Sequence, residues 1–210
     1  YSGSSVSFNE DATIMAIGAY RNGDSGQYSG HVRVYQLLND SWTQLGLDIS
    51  GETAYDYSGQ SVSLSSDGMT LAIGATDNDG NGNISGHVRV FNYNGTAWSQ
   101  LGSDIDGEAA NDRSGQSVSL SSDGTTLAIG ANGNDDNGTD SGHVRVYNYN
   151  GTAWSQLGED IDGEAAYDYS GYSVSLSSDG TTLAISARNN NGNGTDSGHV
   201  RIYKFNGITW

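Results

Sequence analysis

The sequence has no cysteine and no proline, and Lys204 is its one lysine in 210 residues. Without cysteine there is no disulfide framework, no thiolate metal centre and no thiol catalysis. Positive charge is scarce. Eight Lys and Arg stand against 25 Asp and Glu, for a formal net charge of −17. Such a surface repels nucleic acid and anionic membrane and attracts cations. No run of about 18 apolar residues occurs, so nothing reads as a membrane-spanning helix. The opening residues do not read as a secretory leader either. Glycine is abundant, with 31 copies, roughly twice ordinary usage.

The chain repeats itself. Trp42, Trp98, Trp154 and Trp210 recur every 56 residues, and so do His31, His87, His143 and His199. Tyr-Ser-Gly begins at Tyr1, Tyr57 and Tyr169 on the same step, and Arg113-Ser114-Gly115 takes its place in the third unit. One region, 1–210, therefore divides into units at about 1–56, 57–112, 113–168 and 169–210, the last stopping at its Trp. The chain is expected to be a segment of a longer protein.

Each unit reads as four short strands between turn signals. In the second unit these are Ser61–Leu64, Thr70–Ala75, Gly86–Phe91 and Ala97–Leu101. Apolar residues alternate with serine in the first, and Val88 and Val90 alternate with His87, Arg89 and Phe91 in the third. Asn94-Gly95 is a strong hairpin turn. No segment carries a helical apolar stripe of useful length, so the fold class is all-β. A four-stranded unit of this size cannot cover both of its faces alone. Radial stacking of such units, a β-propeller of four-stranded antiparallel blades, solves that problem and leaves only short edges. Glycine-rich solenoids repeat on a shorter step. The serine-rich strand belongs nearest the axis, where small side chains fit, and the Trp strand at the rim. Asp104–Asp112 is expected to cross from one blade to the next.

Ser58-Gly59, Gly74-Ala75 and Gly86-His87-Val88-Arg89-Val90-Phe91 together resemble the FG-GAP repeat of integrin-α-type β-propellers, and the pattern recurs in all four units. In that family FG precedes the first strand, GAP ends the second, and a G-x-V-x-V/I-Y/F run forms the third. Here Tyr-Ser-Gly or Arg-Ser-Gly replaces FG, no proline follows Gly-Ala, and the fourth unit carries Ser186-Ala187. The family often holds calcium in a D-x-D-x-D-G loop between its first two strands. The corresponding turn, Ser66-Asp67-Gly68, is too short to wrap an ion. The resemblance implies an extracellular or cell-surface interaction module and does not carry over that metal site.

Two other acidic segments are candidate Ca²⁺ sites. Asp77, Asp79 and Asn81, with Asp135 and Asn137 one unit later, follow the first half of a calcium loop, where alternating oxygens face one ion. The closing Glu is missing, since Val88 holds its position. Ordinary turn chemistry explains the same residues. The crossing segments carry Asp48, Glu52 and Asp56, then Asp104, Asp106, Glu108 and Asp112, then Asp160, Asp162, Glu164 and Asp168. They read as a cation clasp between blades or as solvated charge. Arg33, Arg89, Arg145 and Arg201 each need a fixed acidic partner, and the crossing carboxylates are the natural ones. The histidines read as structural, being one per blade.

The tryptophans, with Tyr93 and Tyr149, read as rim packing between the third and fourth strands, or else as sugar-stacking platforms. Asn39, Asn83, Asn94, Asn137, Asn150 and Asn193 fit the N-glycosylation sequon in surface turns. Identical residues in every blade argue against a single active site. The function expected is a non-enzymatic extracellular or cell-surface binding or adhesion module, calcium-supported, with a protein or glycan ligand. The alternatives are a structural repeat of a large assembly and a propeller lectin. No nucleic-acid partner and no membrane insertion are expected. The chain is expected to join further blades or domains, or to self-associate.

Overall fold

A computed structural model describes residues 2–210; Tyr1, which opens the first Tyr-Ser-Gly, lies outside the described residues. No helix occurs among them. The first blade comprises Ser5–Phe8, Ile14–Gly18, His31–Leu38, Ser41–Gln44 and Ile49–Ser50. The second comprises Ser61–Leu64, Thr70–Ala75, His87–Tyr93, Trp98–Gln100 and Ile105–Asp106. The third comprises Ser114–Leu120, Thr126–Ala131, His143–Tyr149, Trp154–Gln156 and Ile161–Asp162. The fourth has Ser170–Leu176, Thr182–Ala187 and His199–Lys204. Neighbouring strands within each blade are antiparallel.

The four strands read from the sequence are all present in the first three blades, and the crossing segment adds a fifth of two residues. Ile105 and Asp106 pair with Val88 and His87, at the opposite end of the third strand from Trp98. Each crossing is thus zipped to its own blade before it reaches the next one. In the fourth blade the outer segment ending at Trp210 forms no strand.

The core lies between blades. Period-two alternation sends Val88 and Val90 forward, where with Ala72 they meet Val118, Leu120, Leu127 and Ile129 of the third blade. The same contact repeats between the first and second blades and between the third and fourth. Each fully buried Val, Leu or Ile contributes roughly 1.5–3 kcal/mol, so the joints rather than the single sheets carry the hydrophobic stabilisation. Among the described residues the outermost faces have no such cover. Val200 and Ile202 are 62% and 66% exposed, while Val144 and Val146, one unit earlier, are 0% and 1%. On the first blade Val6 and Phe8 are exposed in the same way.

The serines of the inner strands are more than small. Ser61 Oγ donates to Gly115 O at 2.8 Å, and Ser117 Oγ donates to Gly171 O at 2.8 Å. Ser63 Oγ accepts from Leu120 N at 3.0 Å. The axis is therefore stitched by side-chain bonds from blade to blade. A Cβ on Gly130 would lie 2.0 Å from Gly171 O, so this strand position must be glycine wherever a neighbour follows. The fourth blade has Ser186 there, and its Oγ accepts from Ser173 N at 3.0 Å within its own sheet.

Candidate functional site

The third strand and the crossing segments bring the polar repeats together. Arg89 donates to Ser50 O at 2.7 Å and sits 3.5 Å from Glu52. Arg145 donates to Asp106 O at 2.7 Å and sits 3.3 Å from Glu108. Arg201 repeats both contacts with Asp162 O and Glu164. The expected acidic partners are thus in place, supplied by the preceding blade. They are partly exposed, however, and the closest acceptor is a main-chain oxygen. The guanidinium also lies over its own strand's aromatic ring, 5.6 Å from the Tyr147 centroid for Arg145. Arg33 differs. It makes a forked pair with Asp48 of its own blade, at 2.8–3.0 Å.

Two residues before each arginine, a histidine faces the same acids. Three groups bring their ligand atoms within 4.8 Å of one another: Asp24, His31 and Asp48; Glu52, His87 and Asp104; and Glu108, Asp136, His143 and Asp160. His31 Nδ1 is hydrogen-bonded to Asp24 at 3.0 Å. Burial first, and then the neighbouring Arg89 or Arg145, push His87 and His143 below the usual imidazole value, so both rings are neutral at pH 7. Burial raises Glu108 above the ordinary carboxyl value; Arg145 opposes the rise and Asp160 and Asp136 add to it. Burial likewise raises Asp162. In the first blade the Arg33 guanidinium instead holds Asp48 below the usual range.

The loop residues singled out for calcium have separate employment. Asp77 accepts from the Thr76 hydroxyl at 2.9 Å, and Asp79 Oδ1 accepts from Ile84 N at 2.7 Å. Asp135 Oδ1 accepts from Asp140 N at 2.7 Å. Asn81 donates to Gly107 O and Glu108 O, and Asn137 to Gly163 O and Glu164 O. Asp77, Asp79 and Asp135 belong to none of the three converging groups. The two asparagines tether the loop to the crossing segment. Asp56, Asp112 and Asp168 are fully buried rather than solvated. Asp56 Oδ2 caps the turn at Thr53 N at 2.8 Å, and Asp168 accepts from Asn190 at 2.8 Å.

All six sequon asparagines are exposed. In Asn137 the amide nitrogen that a glycan would need is already bonded to Gly163 O at 2.7 Å. The tryptophans pack more widely than rim packing within one blade requires. Trp98, Trp154 and Trp210 donate from Nε1 to Leu45 O, Leu101 O and Leu157 O of the preceding blade, at 2.8–2.9 Å. Beside Trp154, a groove of about 430 Å³ opens along Asp104, Ile105 and Asp106 to Tyr147. Tyr93 and Tyr149 meet their tryptophans at a tilt, 46° and 43°, and form no flat platform.

A stacked aromatic surface does exist elsewhere. Tyr28 stacks on Tyr57 at 5.9 Å and 16°, and Tyr55 and Tyr20 close the cluster at 5.9 and 5.7 Å. Tyr55 is 50% exposed. Tyr55 and Tyr57 recur at the third joint as Tyr167 and Tyr169. Tyr28, however, gives way to Ile84, Asp140 and Asp196, and Tyr20 to Thr76, Asn132 and Arg188, so the four-ring cluster is particular to the first joint. The sequence signal for it is the pair Tyr20 and Tyr28, aromatic in the first unit alone at their positions.

The FG-GAP repeat family model matches residues 49–91, 104–147 and 161–203. Each match runs from a crossing segment to the aromatic at the fifth residue of the third strand of the next blade, Phe91, Tyr147 or Tyr203, so the family unit spans the joint. No curated protein sequence matches. Solved structures share the fold. A putative 6-phosphogluconolactonase from Bacteroides uniformis superposes with a TM-score of 0.61 at 16% identity, over 96% of this chain and 50% of that one. Kuenenia stuttgartiensis hydrazine synthase gives 0.59 at 11% identity, over 96% and 58%. The Cps50 (Swd1) β-propeller domain of Myceliophteria thermophila gives 0.56 at 10% identity, over 96% and 53%. The chain thus spans between half and three-fifths of the structures it resembles. At these identities the likeness concerns the propeller fold alone.

Proposed function

Because the chain belongs to the FG-GAP repeat family, we propose that it is a non-enzymatic binding module of the cell exterior, with a protein or glycan ligand. The tyrosine patch at the first joint carries this reading. Exposed, mutually braced tyrosines offer large contact area at little entropic cost, which suits both sugar stacking and protein contact. Much of the surface repeats from blade to blade, and the paired Tyr20 and Tyr28 are a place where the repeat departs from itself. The excess of acidic residues and the single lysine agree with a cation-rich exterior. Calcium belongs to this reading as a supporting ion of the acidic surface, and not of the loop from Asp77 to Asn81, whose side chains are engaged elsewhere.

A glycan array and a surface-protein library, each probed with the parent and with Tyr55→Ala, test the proposal. The expected result is a ligand captured by the parent and lost by the variant. Capture that is unchanged in the variant, or no capture by either, overturns it.

One observation favours a second reading, a structural repeat in a larger assembly. The forward face of the fourth blade and the rear face of the first are the two halves of the same apolar joint, both uncovered. Further blades or a second copy would bury them. Sedimentation and electron microscopy of the chain separate a monomer from a closed or head-to-tail assembly.

A further inference from the structure

At the joint between the second and third blades, four ligand-bearing side chains converge. His143 Nδ1 lies 3.8 Å from Glu108 Oε2, 3.9 Å from Asp136 Oδ2 and 3.9 Å from Asp160 Oδ2. The imidazole is only 1% exposed, and its Nδ1 is buried without a hydrogen-bond partner. A buried polar atom left so is rare and calls for an occupant. Three carboxylates surround this nitrogen, and none is near enough to bond it.

We propose that Glu108, Asp136, His143 and Asp160 bind one divalent transition-metal ion of the Zn²⁺ or Mn²⁺ class. Ca²⁺ takes oxygen ligands, whereas an imidazole nitrogen beside carboxylates suits Zn²⁺ and Mn²⁺ better. Ligands of a tetrahedral zinc ion stand about 3.3–3.4 Å apart, given Zn–N and Zn–O distances of about 2.0–2.1 Å. The present ligand atoms lie within 4.8 Å of one another, so binding needs an inward swing of carboxylates that are partly exposed. Arg145 holds Glu108 by its other oxygen, Oε1, and so leaves Oε2 facing the histidine. It acts as a positioning residue.

The other blades lack part of this set. Gly80 and Gly192 stand where the third blade has Asp136. The first blade has Asp24 at that position, but His31 Nδ1 is already bonded to it. Among the described residues, the third blade alone assembles four ligands. Glu108 comes from the segment leaving the second blade, so the ion ties two blades together.

Calorimetric titration of chelator-treated protein with Zn²⁺, Mn²⁺ and Ca²⁺ separately tests the site. Expected are one Zn²⁺ per chain, bound at least 100-fold more tightly than Ca²⁺, and a Zn²⁺-dependent shift of the His143 Nδ1 resonance. Asp136→Gly installs the residue that the second blade carries and leaves the core untouched. It should weaken Zn²⁺ binding at least tenfold, while Asp24→Gly leaves it unchanged. No saturable Zn²⁺ uptake, uptake undiminished in Asp136→Gly, or Ca²⁺ bound more tightly than Zn²⁺ overturns the assignment. The titration needs no macromolecular ligand, so its outcome is independent of the tyrosine-patch reading.

Discussion

Arg145 of the third blade donates to the main-chain oxygen of Asp106 in the second, at 2.7 Å. Its side chain is 9% exposed, whereas that of Arg33, at the same place in its unit, is 42% exposed and paired with a carboxylate of its own blade. Deleting a buried charged donor leaves its acceptor unmatched, while exposed pairs contribute little. Arg145→Ala is expected to lower unfolding free energy by about 2–3 kcal/mol, and Arg33→Ala by no more than about 1 kcal/mol. Urea denaturation of both variants checks this. Equal losses would show that the bond across the joint adds nothing.

The glycine beside the axis gives a second contrast. Gly130→Ser would drive a side chain into the Gly171 carbonyl, and backbone cannot yield there as a flexible side chain can. The expected loss is large, about 4 kcal/mol or more. The reverse change at the matching position, Ser186→Gly, removes one bond to Ser173 N and adds chain freedom. It is expected to cost about 1–2 kcal/mol. Melting of the two variants side by side decides the matter; similar shifts would mean that the close approach at Gly130 relaxes.

Asp77 contributes one pH dependence. Burial raises its carboxyl above the ordinary 3.8; the Thr76 hydroxyl and Arg113 partly offset the rise, and Asp79 adds to it. The folded state therefore holds this proton more tightly than the unfolded chain. Stability from this group falls as pH rises from 3.8 through the raised value, and the penalty is fully present above it. Asp77→Asn keeps the acceptor for Thr76 and loses the charge. The variant should melt higher than the parent at pH 7, with the gap closing as pH falls below 4. A gap that widens in acid would contradict the burial of this carboxyl.

Trp154 supplies a fourth test. Its Nε1 donates to Leu101 O across the joint at 2.8 Å. Trp154→Phe keeps most of the ring packing and loses the donor, for an expected cost of about 1 kcal/mol. Trp42→Phe, on the exposed outer strand of the first blade, should cost less. A Trp154→Phe variant as stable as its parent would reduce the tryptophan to packing.

The repeat made the architecture readable. A 56-residue step, alternation in Ser61–Leu64 and His87–Tyr93, and turn dipeptides such as Asn94-Gly95 specify strands and joints without reference to a neighbour. What stayed hidden depended on pairing between units. The two-residue strand at Ile105 and Asp106 carries no periodicity of its own. Ser61 looks like a small filler until Gly115 O stands beside it. The acids of the crossing segment read alike in sequence, yet Asp112 is buried in a turn while Glu108 faces His143. Asp136 differs from Gly80 by one letter, and only the fold shows that this letter completes a ring of ligands.

Three joints built on one plan have a hereditary consequence. Recombination between near-identical stretches of such a gene inserts or deletes a whole vane in frame, and every remaining seam keeps its fit. The number of vanes can therefore drift across generations while the seam stays fixed. Ser186 marks the one axial position where this freedom meets an obstacle.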